Sequence, residues 1–197
     1  MSEMEAKMTY ETFDLDAALD VLRAGGIILY PTDTVWGIGC DATNEEAVRA
    51  IYRLKQRSDS KSMLVLLDDA GKLDSYVHVP ASARALLLEE KDRPLTIIYP
   101  EARNVARGLI AEDGSLGIRL TNEAFSQALC RELGHPLVST SANLSGEPAA
   151  KTYRQISEAI RQGVDYICRY RRDDETEKRP SRIVKISSDG AIQVIRN

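Results

Sequence analysis

Two short runs of unbroken apolar residues constrain this chain most: Ile27-Ile28-Leu29-Tyr30 and Met63-Leu64-Val65-Leu66-Leu67. Each is too short for an ordinary helix and shows no apolar–polar alternation, so each reads as a strand buried on both faces. Such strands need cover on two sides, and the intervening sequence supplies it as helical patterns. Asp14 is placed to cap a helix running to about Ala24, with Leu15, Ala18, Leu19 and Leu22 on one apolar face and Gly25-Gly26 ending it. Asn44, with Glu45 and Glu46 in the first turn, opens a second helix. Residues 81–88 read as a third, Asn122 caps a fourth that stops at Gly134, and residues 152–161 read as a fifth. Residues 95–99, 115–120, 137–140 and 164–168 are extended, and residues 181–186 and 191–195 form a closing hairpin around Ser188-Asp189-Gly190. The alternation predicts an α/β domain, a mixed sheet covered by helices.

Composition narrows the function. A length of 197 residues, without repeat or low-complexity linker, fits one domain over residues 1–197. With 26 basic against 30 acidic side chains the net charge is −4, which argues against strong bulk attraction to nucleic acid. Cys40, Cys130 and Cys168 are odd in number and form no C-x-x-C pair, which excludes a disulfide framework. Two histidines, His78 and His135, leave little for a zinc site or a histidine-centred triad. The acidic N-terminus is unlike a signal peptide and no long apolar window occurs, so a cytoplasmic location away from membranes is expected.

Four stretches carry candidate chemistry. Pro31-Thr32-Asp33-Thr34-Val35-Trp36-Gly37 follows the first buried strand, where ligands of open α/β sheets bind. The same residues also suit a plain turn whose Asp and Thr side chains satisfy local backbone. On the second helix Val48, Ile51 and Tyr52 form the buried stripe, and Lys55 comes next on it. Its ammonium is therefore aimed into the body of the protein or into a cleft. With Arg57 and Lys61 it makes three cations within seven residues, suited to a polyphosphate, although cations at a helix end also complement the macrodipole. No G-x-x-x-x-G-K-[ST] loop occurs, so any nucleotide is held by side chains. In the strand from Ser115 to Leu120, Ser115, Gly117 and Arg119 share one face, and a mid-strand arginine needs an anion, internal or bound. Ser139, Ser141 and Asn143 line one face of the fourth stretch, suited to a ribose, a phosphate or an amino acid, or to a polar turn.

PTDTVWGIGCDA, KQR, GSLGIRL, STSANLSGEPA and PSRIVKI stand in this order, and together they resemble the YrdC/TsaC family of threonylcarbamoyl-AMP synthases over residues 14–196. The resemblance implies a YrdC-like twisted mixed sheet covered by helices, with a concave basic ligand cleft. It implies synthesis of L-threonylcarbamoyladenylate and pyrophosphate from L-threonine, bicarbonate or carbon dioxide, and ATP, for the N6-threonylcarbamoyl modification of adenosine 37 in tRNA. Implied partners are those substrates and the tRNA threonylcarbamoyl transferase machinery, with at most weak tRNA binding. Mg²⁺ is expected to come with ATP rather than on protein side chains, and no organic cofactor is expected. Thr34, Arg119, Ser139 and Ser181 match the threonine-contacting positions. Lys55, Arg57, Lys61, Ser115, Ser141, Asn143 and Arg196 match the ATP-contacting ones, with Lys55 and Arg57 the expected catalytic cations.

Several positions depart from the family pattern. Trp36 stands where tyrosine is common, as a wall of the site, and Ser62 replaces a proline. Asp92-Arg93-Pro94 replaces a P-G-P, and Arg182 and Lys185 replace a threonine and an aspartate. The chain matches the short form of the family, and residues 169–180 are expected to form a mobile surface loop. Two alternatives stand beside the synthase: a non-catalytic RNA-binding module using the same cleft, which the acidic balance disfavours, and the fold relative dihydroxybutanone phosphate synthase. The latter would need an acidic metal-binding constellation near the first turn, where PTDTVWG offers a single aspartate.

Overall fold

A computed structural model describes residues 3–57, 63–90 and 93–197, with side chains from Thr12 onward. The described residues form the α-helices α1 (Glu3–Arg23), α2 (Glu45–Lys55), α3 (Ala81–Glu89), α4 (Ala124–Leu133) and α5 (Glu158–Gln162). Nine strands accompany them: β1 (Ile28–Tyr30), β2 (Gly37–Gly39), β3 (Leu64–Leu67), β4 (Leu95–Tyr99), β5 (Leu116–Leu120), β6 (Leu137–Ser141), β7 (Tyr166–Ile167), β8 (Arg182–Ile186) and β9 (Ile192–Arg196). The strands join in one mixed sheet of order β7-β1-β2-β6-β3-β5-β4-β8-β9, parallel at β1·β7, β3·β5 and β4·β8 and antiparallel elsewhere.

Side chains alternate across this sheet, and so do its two cores. On one face Leu29, Ile38, Val65, Leu67, Ile97 and Val138 pack beneath Val48 and Ile51 of α2, Ala83 of α3 and Ile160 of α5. On the other, Ile28, Tyr30, Leu66 and Leu137 meet Ala18, Leu19 and Leu22 of α1 and Phe125 and Leu129 of α4. Each fully buried leucine or isoleucine adds about 1.5–3 kcal/mol through removal from water. The second core stops at β3. Beyond it, over β5, β4 and β8, the same face of the sheet lines a cleft.

Several expectations from sequence give way to tertiary contacts. Asp14 caps nothing: it lies inside α1, buried, and its carboxylate accepts from the Tyr166 hydroxyl at 2.7 Å and from the backbone N–H groups of Arg169 (2.9 Å) and Tyr170 (2.8 Å). The cap of α2 is Asn44 as expected, its side chain accepting from Ala47 N–H at 3.1 Å. That of α4 is Glu123 rather than Asn122, with its carboxylate on the N–H of Ser126 at 2.8 Å. Residues 152–161 are not one helix. A 3-10 turn over Tyr153–Gln155 precedes α5, and Ser157 between them is extended.

Strand β2 went unforeseen because two of its three residues are glycine. A Cβ on Gly39 would meet the Tyr30 ring at 2.7 Å and the Val138 carbonyl at 2.8 Å, so glycine is what lets Tyr30 lie against the sheet. Residues 169–180 are tied down at several points: Arg171 pairs with Asp174 at 2.6 Å and donates to the Thr32 carbonyl at 3.2 Å, and Lys151 pairs with Glu177 at 2.9 Å. Among the described residues no helix is long and apolar enough to cross a membrane.

Candidate functional site

The cleft, about 800 Å³, is built by strand periodicity. Arg119, Thr96, Ile183 and Arg196 are register partners across β5, β4, β8 and β9, so they share one face. Gly117, Ile98 and Lys185 form the next row. Four cations, Arg57, Arg119, Lys185 and Arg196, and two carboxylates, Glu112 and Asp113, line the space.

At one end the 31–36 turn is fixed by Thr32, whose hydroxyl donates to the Val35 carbonyl at 2.7 Å and accepts from Thr34 N–H at 3.0 Å. This leaves Thr34 facing the cleft, where Arg119 Nη2 reaches its hydroxyl at 3.4 Å. Ser139 and Ser181 line the same space, and both are buried. Ser181 accepts from the Thr96 hydroxyl at 3.0 Å, while the Arg196 guanidinium donates to its carbonyl at 2.8 and 3.0 Å. Burial, and then repulsion from Arg119, lowers the pKa of Arg196. The structure thus brings Thr34, Arg119, Ser139, Ser181, Arg57, Ser115, Ser141 and Arg196 together around one cleft.

Two predicted site residues do something else. Lys55 is 1% exposed and does not line the cleft: its ammonium donates to the carbonyls of Ser141 and, at 2.6 Å, Asn143. The Lys55 carbonyl in turn accepts from Ser145 N–H at 2.8 Å. Of its two predicted destinations it takes the body of the protein, where burial, and then Arg57, pulls its pKa down to about 8. Asn143 lies past the end of β6, so the row of Ser139 and Ser141 does not extend to it. Its Nδ2 donates to the carbonyls of Leu144 (2.9 Å) and Glu147 (2.7 Å), closing the loop, while its Oδ1 is buried without a partner. Lys61, Ser62 and Asp92 fall outside the described residues.

The departures from the family pattern also separate. Arg182 turns away from the cleft to Glu90 at 2.6 Å. Lys185 faces into it and pairs with Asp113, which also accepts from the Ser115 hydroxyl at 2.6 Å. Lys185 first, and Ser115 next, bring the Asp113 pKa down to about 2. Trp36 is not a wall of the site but a core residue against Tyr153, ring centroids 5.1 Å apart. Asp33, which the sequence marks only as part of the 31–37 turn, has its Oδ1 3.0 Å from Arg119 Nη2.

A twisted mixed sheet, helices on its faces and an open stretch carrying buried arginine and hydroxyl groups define an α/β protein with a polar cleft. The family described as Sua5_yciO_yrdC, telomere recombination, matches residues 20–197, and the chain belongs to it. A protein of Pseudoalteromonas translucida named threonylcarbamoyl-AMP synthase is 38% identical over 157 residues, 78% of this chain and 82% of that one. E. coli YciO superposes with a TM-score of 0.81 at 26% identity, covering 93% of this chain and 88% of that one. P. abyssi Sua5 complexed with L-threonine gives 0.78 at 23% identity over 87% of this chain and 50% of its own.

Proposed function

We propose that the chain is an L-threonylcarbamoyladenylate synthase, a nucleotidyltransferase that makes threonylcarbamoyl-AMP and pyrophosphate from L-threonine, bicarbonate or carbon dioxide, and ATP. Its product serves the N6-threonylcarbamoyl modification of tRNA, through the transferase machinery that consumes it. One observation carries the reading: Thr34, Arg119, Ser139 and Ser181 line the same cleft as Arg57, Ser115, Ser141 and Arg196. A relative of that name at 38% identity supports it.

The chemistry suits these side chains. Threonine's amine takes up carbon dioxide as a carbamate, a carbamate oxygen bonds to the α-phosphorus of ATP, and the bond to pyrophosphate breaks. Neither step needs a protein nucleophile; both need positioned reactants and neutralised charge. Arg119 binds the threonine carboxylate with its planar fork, and the Ser139 and Ser181 hydroxyls complete that contact. Arg57 and Arg196 meet the phosphates, and Lys61 takes the same role by its place in the motif. Lys55 serves them indirectly by holding Ser141 at the cleft. Mg²⁺ would come with ATP and neutralise its phosphates, and the carboxylates that line the cleft are Glu112 and Asp113.

Incubation with ATP, bicarbonate and threonine should yield threonylcarbamoyl-AMP by mass spectrometry and threonine-dependent pyrophosphate. Folded protein that releases neither, yet binds RNA with an affinity falling steeply with salt, would be the RNA-binding module instead.

A further inference from the structure

An α-amino acid at neutral pH is a zwitterion, with a carboxylate and an ammonium on one carbon. A buried pocket selective for it needs a cation and an anionic acceptor side by side, because a charge taken from water without a partner is costly. Arg119 supplies the cation. Thr34, Ser139 and Ser181 add only hydroxyls, and of the cleft's carboxylates, Glu112 and Asp113, the second is taken by Lys185 and neither pairs with Arg119. The carboxylate that stands beside Arg119 is Asp33, with Oδ1 3.0 Å from Nη2 and side chains only 12% and 4% exposed.

The two groups are close but not aligned. Among the described residues Asp33 Oδ1 has no hydrogen-bond donor and Arg119 Nε no acceptor, and both atoms are buried. Buried polar atoms are nearly always satisfied, so an unpaired acceptor and an unpaired donor at one point ask for an explanation. A zwitterion offers the complement of both. The local chain supports this placement. Thr32 fixes the turn through Val35 and Thr34, so Asp33, which does not itself line the cleft, is held beside Thr34 and Arg119, which do.

We propose that Asp33 receives the ammonium of the amino-acid substrate while Arg119 receives its carboxylate. One loosely made internal pair is exchanged for two charge-assisted pairs, and a neutral dyad takes a neutral ligand, so the net buried charge is unchanged. The exchange restricts the substrate to α-amino acids, against hydroxy acids or amines that carry only one end. It also holds the nitrogen that becomes the carbamate at a fixed place beside the 31–36 turn. The proposal rests on the amino-acid reading of the cleft and adds to it a residue that contacts the substrate.

Calorimetric titration with threonine and with 3-hydroxybutyrate, which is threonine without its amine, tests it in the wild type and in Asp33→Asn. The wild type should prefer threonine by at least about tenfold. Asp33→Asn should weaken threonine by a similar factor and leave 3-hydroxybutyrate unchanged or tighter, since Arg119 has lost a competitor. Equal weakening of both ligands would mean that Asp33 acts only by holding Arg119, and would overturn the proposal. If Asp33→Asn does not fold, Asp33→Ser takes its place with the same two outcomes, and a wild type that binds both ligands equally overturns the proposal by itself. A wild type that binds neither ligand and releases no threonine-dependent pyrophosphate overturns the amino-acid reading itself.

Discussion

Lys55 and Arg119 are two cations buried to nearly the same degree, 1% and 4% exposed, yet they have opposite surroundings. Lys55 donates to two backbone carbonyls of the 139–146 stretch and faces no ligand space. Arg119 lines the cleft with an unpaired Nε and a carboxylate off alignment. Burial alone therefore does not mark a ligand-binding cation; the state of its hydrogen bonds does. The comparison also divides the K-x-R pair, in which Lys55 holds the wall and Arg57 stands in the cleft.

The comparison breaks most visibly at Lys55. Lys55→Met leaves the Asn143 carbonyl unpaired and the Ser141 carbonyl with only the Asn143 N–H, so denaturation should show about 1–3 kcal/mol lost. The loss should depend on pH. Its pKa near 8 in the fold lies below the ordinary value of 10.5. Between those values the unfolded chain holds a proton that the folded chain has released, so wild-type stability rises with pH there. The gap to Lys55→Met should widen by up to about 3 kcal/mol across that window. A variant as stable as the wild type but deficient in ATP binding would place Lys55 back among the ligand contacts.

Arg119→Gln acts on the ligand as well as on the fold: it loses the Nη2 contacts to Asp33 and Thr34, and threonine affinity should fall tenfold or more, about 1.4 kcal/mol. ATP affinity should change little. Arg57→Ala should come next, weakening ATP by roughly fivefold, about 1 kcal/mol, with threonine binding intact. If both substitutions weakened both ligands equally, the cleft would not be divided as described.

Much of this was legible in the sequence, and the failures have physical causes. Period-two alternation placed Ser115, Gly117 and Arg119 on one face, and the structure puts all three on the cleft. The apolar stripe of α2 predicted that Lys55 points inward, but not whether it meets a ligand or a carbonyl, since the Ser141 and Asn143 carbonyls come from a distant segment. Asp14 looked like a cap because caps are local signals, whereas its real partners lie some 150 positions away at Tyr166, Arg169 and Tyr170. Gly37 and Gly39 argued against a strand until Tyr30 explained them. Asp33 carried no spacing signal; only the unpaired atoms beside Arg119 bring it forward.

Lys185 supplies the opposite extreme of the comparison, a cleft cation left largely in water. It and Asp113 are 38% and 50% exposed, so their pair should contribute no more than about 1 kcal/mol despite the close contact. The sign of its pH dependence follows from Asp113, whose pKa of about 2 in the fold lies below the ordinary 3.8. That contribution is fully present above the unfolded value and is lost as pH falls through the folded one. Lys185→Gln should therefore be slightly less stable than the wild type at neutral pH, and melting curves should converge as pH drops from about 4 to about 2. In the same variant a loss of ATP affinity larger than the loss of stability would mean that Lys185 leaves Asp113 for the nucleotide. A stability gap well above 1 kcal/mol, or one that persists at pH 2, would instead mean that the pair holds the β5 and β8 ends together as firmly as Lys55 holds its loop.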